Sequence, residues 1–184
     1  MAIHERRRAN GQAGFTLIDL LFVIGLIGLL CSLAVPGLMR ARGAAQAASA
    51  LGSMRVIGSG QLSYAITCGL GFYSPDLPTL GVPPPASVDP FLPTDLSGGV
   101  TVIKGGYTLA MFGTPLAGAP PSCNGLGMGQ TAPGFAVVAD PLNPLENGRY
   151  FGMNADGTMY EHSASLAAVM PEAGPPPVGF AIKY

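Results

Sequence analysis

An apolar run near the start of the chain sets the strongest limit on what the protein can fold into. Within residues 15–35 the only ionisable side chain, apart from the thiol of Cys31, is the carboxyl group of Asp19. About 20 apolar residues, at roughly 1.5 Å each in a helix, cross the hydrocarbon core of a bilayer. Residues 6–8 are all arginine, and basic residues before a span predict a cytoplasmic N-terminus. We therefore expect a single-pass membrane helix with one carboxylate close to its start.

The residues around Asp19 form a specific pattern. Gly14 is followed by Phe-Thr-Leu-Ile-Asp-Leu-Leu-Phe-Val-Ile. This segment resembles the N-terminal signature of type IV pilins and type II secretion pseudopilins, and the likeness continues more loosely through Pro36. The resemblance implies that residues 1–14 are a leader, and that prepilin peptidase cuts after Gly14 and methylates Phe15. It also implies that Asp19, where the family usually has glutamate, meets the N-terminal amine of a neighbouring subunit during assembly.

The physical chemistry of the membrane supports the same interpretation of Asp19. A buried carboxylate and a buried amine are each unstable alone and far better paired. Pairing between chains would make Asp19 a determinant of assembly and register. Three alternatives remain: an uncleaved signal anchor that tolerates an aspartate, a lipoprotein signal cleaved at Cys31, and a secretory signal cleaved near Ala34.

The long helix is expected to continue beyond the apolar run. Residues 15–36 form the hydrophobic part, and Pro36 predicts a kink because it removes a backbone hydrogen bond. Residues 37–68 are predicted to be an amphipathic continuation, with a helix of roughly 80 Å in total. The predicted apolar stripe recurs at spacings of three and four: Ala41, Ala45, Ala48, Leu51, Arg55, Gly58, Leu62 and Ala65. It is broadened by Ala44, Met54 and Ile66.

The rest of the chain predicts a small sheet, so the fold class is α+β and pilin-like, with the long helix packed on a small antiparallel β-sheet. Residues 69–99 are a Gly/Pro-rich connection, similar to the variable loop of pilins, with a helical turn near 89–96. Residues 100–162 are the globular domain of three or four strands, and residues 163–184 are a mobile or extended tail. The expected strands occupy 106–112, 135–139, 149–153 and 158–161, and residues 100–104 are either a further strand or part of the first of these.

Cysteine usage fits a chain that crosses a membrane. Cys31 lies inside the apolar run, whereas Cys68 and Cys123 lie after it. An oxidising compartment on the far side favours a disulfide between these two, and closing that loop would contribute roughly 4 kcal/mol. The alternative is a pair of free thiols.

Little in the sequence indicates catalysis. His162 is the only histidine after the leader, and the glycine-rich residues 125–129 lack the Lys-Ser/Thr of a phosphate loop. We therefore predict that the protein is not an enzyme. The cofactor considered is calcium, which some pseudopilins bind, although no calcium-loop spacing is present. Its candidate oxygen ligands are Asp140, Glu146, Asn154, Asp156 and Glu161.

Composition and the resemblance together lead to a functional hypothesis. Only 10% of residues are charged, 48% are hydrophobic and the net charge is −1, which suits burial in lipid or in neighbouring subunits and gives no basic field for nucleic acid. The resemblance implies a filament subunit, held in the bacterial inner membrane and then assembled by pilus machinery into an extracellular filament. The alternatives are a periplasmic pseudopilin of type II secretion and a non-assembling, membrane-anchored periplasmic domain.

Overall fold

The computed structural model describes residues 14–85 and 87–182. The predicted leader, residues 1–14, lies outside the described residues except for Gly14. The chain divides into two compact units, with the boundary between Arg40 and Ala41. It has one long N-terminal helix and a small antiparallel sheet, so the α+β class is confirmed.

Helix α1 (Leu17–Thr67) has 51 residues and includes Pro36. Every residue from Gly14 to Arg42 is exposed. The first part of α1 is long and apolar enough to cross a membrane, by length and composition. The kink expected at Pro36 stays a prediction.

From Ala47 onward, α1 buries one face against the rest of the C-terminal unit. The buried residues recur at alternating spacings of three and four: Ala47, Ala50, Met54, Ile57, Gln61, Tyr64 and, just after the helix, Cys68. The predicted stripe was right at Met54 and Ala65, which are buried. It was wrong at Leu62, which is 55% exposed, and it left out Ile57 and Tyr64, which are fully buried. Alanines and glycines on several sides of the helix blurred its pattern, and the larger Met54, Ile57 and Tyr64 decide which face packs.

The sheet has six antiparallel strands, and their spatial order follows the chain. The prediction of three or four strands was therefore too low. The strands are β1 (Thr101–Lys104), β2 (Tyr107–Phe112), β3 (Ala136–Pro141), β4 (Tyr150–Asn154), β5 (Met159–His162) and β6 (Phe180–Ala181).

The C-terminal segment is more ordered than a mobile tail. Its strand β6 pairs with β5, where Phe180 lies opposite Glu161. Leu166 and Met170 are buried against one face of the sheet. The tail is therefore part of the domain, because it covers apolar side chains that the sheet would otherwise expose.

Alternation along the strands builds two apolar layers. Val137 and Ala139 of β3 belong to the cluster that contains the buried face of α1. Ala136 and Val138 point the other way, into the cluster with Leu166. Strand β3 is thus covered on both faces, which explains its nearly continuous apolar sequence.

The connection between α1 and the sheet is fixed by short helices and by polar side chains. Helices α2 (Leu77–Leu80) and α3 (Thr94–Ser97) lie within it, so the helical turn predicted near 89–96 forms at 94–97. Asp76 caps α2 by accepting a hydrogen bond of 2.9 Å from the Thr79 amide. The buried side chain of Gln61 bonds both backbone groups of Ser74. Its Oε1 accepts from the Ser74 N–H at 2.9 Å, and its Nε2 donates to the Ser74 carbonyl at 2.8 Å.

A disulfide joins the end of α1 to the long β2–β3 connection. Cys68 and Cys123 are bonded, with their Cα atoms 4.9 Å apart, in agreement with the predicted pair. Cys31 is a free, exposed cysteine.

Candidate assembly site at the start of the long helix

The first turn of α1 is held by a reciprocal pair of hydrogen bonds between Thr16 and Asp19. The Asp19 amide donates to Thr16 Oγ1 at 3.3 Å, and the Thr16 amide donates to Asp19 Oδ2 at 3.2 Å. The Thr16 hydroxyl also donates to Asp19 Oδ2 at 2.5 Å. This arrangement is a capping box, which satisfies amides that have no partner within the helix. The carboxylate also lies where it stabilises the positive end of the helix dipole.

Only one oxygen of Asp19 takes part in the cap. Its Oδ2 accepts both bonds from Thr16, and no hydrogen bond among the described residues reaches Oδ1. Asp19 is exposed, and it borders a shallow, open depression of about 400 Å³ that also touches Gly14, Phe15 and Phe22. The second oxygen is therefore accessible to a donor from outside the chain.

The predicted cleavage site precedes the helix. Gly14, Phe15 and Thr16 are outside α1, and Phe15 is 85% exposed. A protease requires an extended, accessible peptide, and no backbone hydrogen bond among the described residues holds Gly14 or Phe15, whereas the Thr16 carbonyl accepts from the Leu20 amide at 3.3 Å. The structure thus brings Gly14, Phe15 and Asp19 into one exposed neighbourhood.

The capping role of Asp19 was missed in the sequence analysis. The signal was present, since a Thr-x-x-Asp pattern before an apolar run is typical of a capping box. Pro36 and the Cys68–Cys123 disulfide lie elsewhere along α1 or beyond it, and they do not contribute to this site.

Three of the five oxygen ligands considered for calcium are engaged in separate interactions. Asp156 Oδ2 accepts from the Gly174 amide at 2.7 Å, and Asp140 Oδ2 accepts from the Ser165 hydroxyl at 2.6 Å. Glu161 pairs with Arg149 through bonds of 2.6 and 2.8 Å. In the described part of the chain, no three His, Cys, Asp or Glu side chains are grouped so that they could hold a metal ion.

Two groups in the sheet titrate away from their ordinary range. Burial raises the pKa of Tyr107 to about 12, and its hydroxyl donates to the Arg149 carbonyl at 3.0 Å. The hydrogen bonds from Arg149 hold the pKa of the Glu161 carboxyl below its usual value. Both pKa shifts arise from contacts within the sheet domain, and neither group takes part in the Thr16–Asp19 cap.

A groove of about 440 Å³ lies beside the exposed side of α1 within the C-terminal unit. Ser59 and Leu62 form one wall, and residues 153–157 form the other. The groove is open to solvent, and both polar and apolar residues line it.

Comparison of the chain with models of known families, with curated proteins and with solved structures finds no match.

Proposed function

We propose that the protein is a structural subunit of a type IV pilus-like filament, which assembles through its N-terminal helix. The observation that carries this proposal is the capped but accessible carboxylate of Asp19 at the start of an apolar helix. Every side chain of that helix up to Arg42 is exposed. An apolar surface of this extent needs lipid or other protein chains around it.

The cap suggests how assembly would use Asp19. Cleavage after Gly14 would leave a free amine on Phe15, and the amide of Thr16 would remain to hold Oδ2. Oδ1 would accept a hydrogen bond from the amine of a neighbouring chain. Each Asp19 carboxylate would then cap its own helix and pair with the next subunit at the same time. Charge pairing in an apolar surrounding is favoured over leaving either charge alone.

The test is an intact-mass measurement on material sheared from the cell surface, with the membrane fraction analysed in parallel. We expect a species that begins at N-methylated Phe15 in the sheared material. Asp19→Ala should abolish the sheared species while leaving protein in the membrane. Asp89→Ala, a change at an exposed aspartate of the C-terminal unit, is the matched control and should leave the sheared species unchanged.

Each other result has a definite meaning. A species processed to Phe15 but found only in the membrane fraction favours the type II secretion pseudopilin. Normal behaviour of Asp19→Ala favours the non-assembling anchored domain. A chain that begins at Met1, at Cys31 or near Pro36 excludes the filament proposal.

A further inference from the structure

We propose that the β3–β4 loop, residues 142–149, rests on the phospholipid surface of the membrane into which the N-terminal helix inserts. This inference rests on the membrane-inserted state that precedes assembly in the proposed function. It adds a second contact with the bilayer, made by the C-terminal unit. The loop exposes two leucines: Leu145 is 98% exposed and Leu142 is 54% exposed.

The loop is a fixed turn, so the exposure of its leucines is built into the fold. The Glu146 and Asn147 amides donate to the Asn143 carbonyl at 3.2 and 3.1 Å. The Asn143 side chain accepts from the Leu145 amide at 3.3 Å, an Asx-type turn. Leu142 donates through its amide to the Gly106 carbonyl at 3.0 Å, which ties the loop to the β1–β2 turn. Together these bonds hold Leu145 outward.

The same loop is hydrogen-bonded to α1 at Gly43, shortly after Arg40 and Arg42. The side chain of Asn147 is buried and donates to the Gly43 carbonyl at 3.0 Å. The β1–β2 turn also lies against this part of α1. Gly105 and Gly106 have positive φ of 59° and 83°, and a Cβ on Gly106 would lie 2.7 Å from the Gln46 side chain. Glycine is needed at this turn for both reasons.

Chain length keeps this end of the domain close to the bilayer. No charged side chain occurs between Asp19 and Arg40, so the uncharged segment ends at Met39, and only residues 40–42 separate Met39 from Gly43. At about 1.5 Å of rise per residue, Gly43 lies roughly 6 Å along the helix from Met39. The headgroup region on each side of the hydrocarbon core is about 5–8 Å thick. A loop bonded to Gly43 is therefore within reach of that region.

The chemistry of the surroundings suits lipid headgroups. Arg40 and Arg42 are exposed and sit between the apolar run and Gly43, where cationic side chains pair with lipid phosphates. Glu146 is the one carboxylate of the loop itself, and the two arginines outnumber it. Leucines that enter the boundary between headgroups and acyl chains are a common mode of interfacial binding.

The test places a polarity-sensitive fluorophore at single cysteines of the full chain, reconstituted in phosphatidylethanolamine–phosphatidylglycerol vesicles. Leu145→Cys in a Cys31→Ser background reports on the loop. Met128→Cys in the same background is the matched control, since Met128 is 76% exposed but follows Cys123, at the other end of the buried part of α1. In a separate sample of the unsubstituted chain, the label on Cys31 reports whether the helix is inserted in lipid. Cys68 and Cys123 are bonded and take no label.

We expect lipids with a nitroxide on the headgroup to quench the label at position 145 and to leave the label at 128 bright. If position 145 behaves like position 128 while the Cys31 label is quenched by acyl-chain nitroxides, the inference is wrong and the membrane helix stands. If the Cys31 label is not quenched either, the membrane-inserted state fails, and the inference fails with it. A third result would also overturn the inference. If the label at position 145 reports an apolar environment, is not quenched by nitroxide lipids, and loses that environment when the protein is diluted in lipid, the loop contacts a second copy of the chain instead.

Discussion

At the scale of single residues, Asp19 combines a local task with an intermolecular one. Its Oδ2 closes the capping box with Thr16, whereas no hydrogen bond among the described residues reaches Oδ1. A glutamate has one more methylene, so aspartate keeps its charge closer to the helix backbone. The two tasks can be separated by substitution, because the cap needs an acceptor oxygen and pairing with an amine needs the charge.

Thr16→Val and Asp19→Asn should therefore have opposite effects. Thr16→Val removes the hydroxyl and should weaken the cap by about 1 kcal/mol, so the Asp19 and Leu20 amides should exchange hydrogen faster in detergent micelles while filaments still form. Asp19→Asn keeps an acceptor at the cap, so exchange should stay slow while filaments are lost. Filaments at the normal level in Asp19→Asn would show that the charge is not used in assembly.

Tyr107 predicts how the C-terminal unit responds to alkaline pH. Its pKa is raised to about 12 in the folded chain, against roughly 10 for an unfolded tyrosine. The unfolded state therefore releases its proton first, and stability should fall from about pH 10 to pH 12 by up to about 1.4 kcal/mol per pH unit. Tyr107→Phe should remove this part of the slope, at a cost of about 1 kcal/mol at neutral pH for the lost hydrogen bond. Equal alkaline slopes for both proteins, measured by urea unfolding in detergent, would contradict the assignment.

At the scale of elements, the connection after α1 is held by one buried amide. The side-chain amide of Gln61 bonds both the N–H and the carbonyl of Ser74, in the way that a neighbouring backbone segment would. Gln61→Ala should leave those two groups unpaired and open a small cavity, which predicts a loss of roughly 2–4 kcal/mol. Ser63→Ala, on the exposed side of the same helix, should change the midpoint of urea unfolding very little. A small effect of Gln61→Ala would mean that water replaces the amide.

The disulfide makes a second tie between elements. It closes a sequence separation of 55 residues, for which chain entropy predicts a contribution of about 4 kcal/mol. Cys68→Ala with Cys123→Ala should lower the unfolding midpoint strongly. Cys31→Ala should not change it, because Cys31 lies in the exposed apolar segment. A double variant as stable as the parent would show that packing alone holds the β2–β3 connection.

The sequence predicted the positions of helices and strands better than it predicted which face of the long helix is buried. The apolar run, the long helix ending near Thr67 and the strands around β2, β3 and the β4–β5 hairpin follow from local composition and turn residues. The buried face of α1 did not, since glycine and alanine on several sides leave the choice to contacts with the sheet. Strand β6 was missed because Phe180 and Ala181 pair only through tertiary context. At the assembly site, Gly14, Phe15 and Asp19 were predicted, and the bonds to Thr16 were not.

At the scale of the whole molecule, the core of the C-terminal unit is built without side chains from the N-terminal unit. The first buried residue among those described is Ala47, so the apolar segment contributes nothing to the core. A chain limited to residues 41–184 should fold, form the Cys68–Cys123 bond and remain monomeric in aqueous buffer. Circular dichroism, free-thiol titration and sedimentation would check these three points. Aggregation or free thiols in this fragment would show that the core depends on the N-terminal unit.

The order of the strands bears on how the domain is made. Each strand pairs with the one that precedes it in the chain, and sequential pairing of this kind keeps the loops to be closed short. The longest connection between strands is 113–135, which carries Cys123. Synthesis delivers the amphipathic part of α1 first, then β1, β2 and the second cysteine, and only afterwards β3. Oxidation can therefore fasten the helix to the nascent domain before the central strand emerges, and the remaining strands are added to a template that already exists.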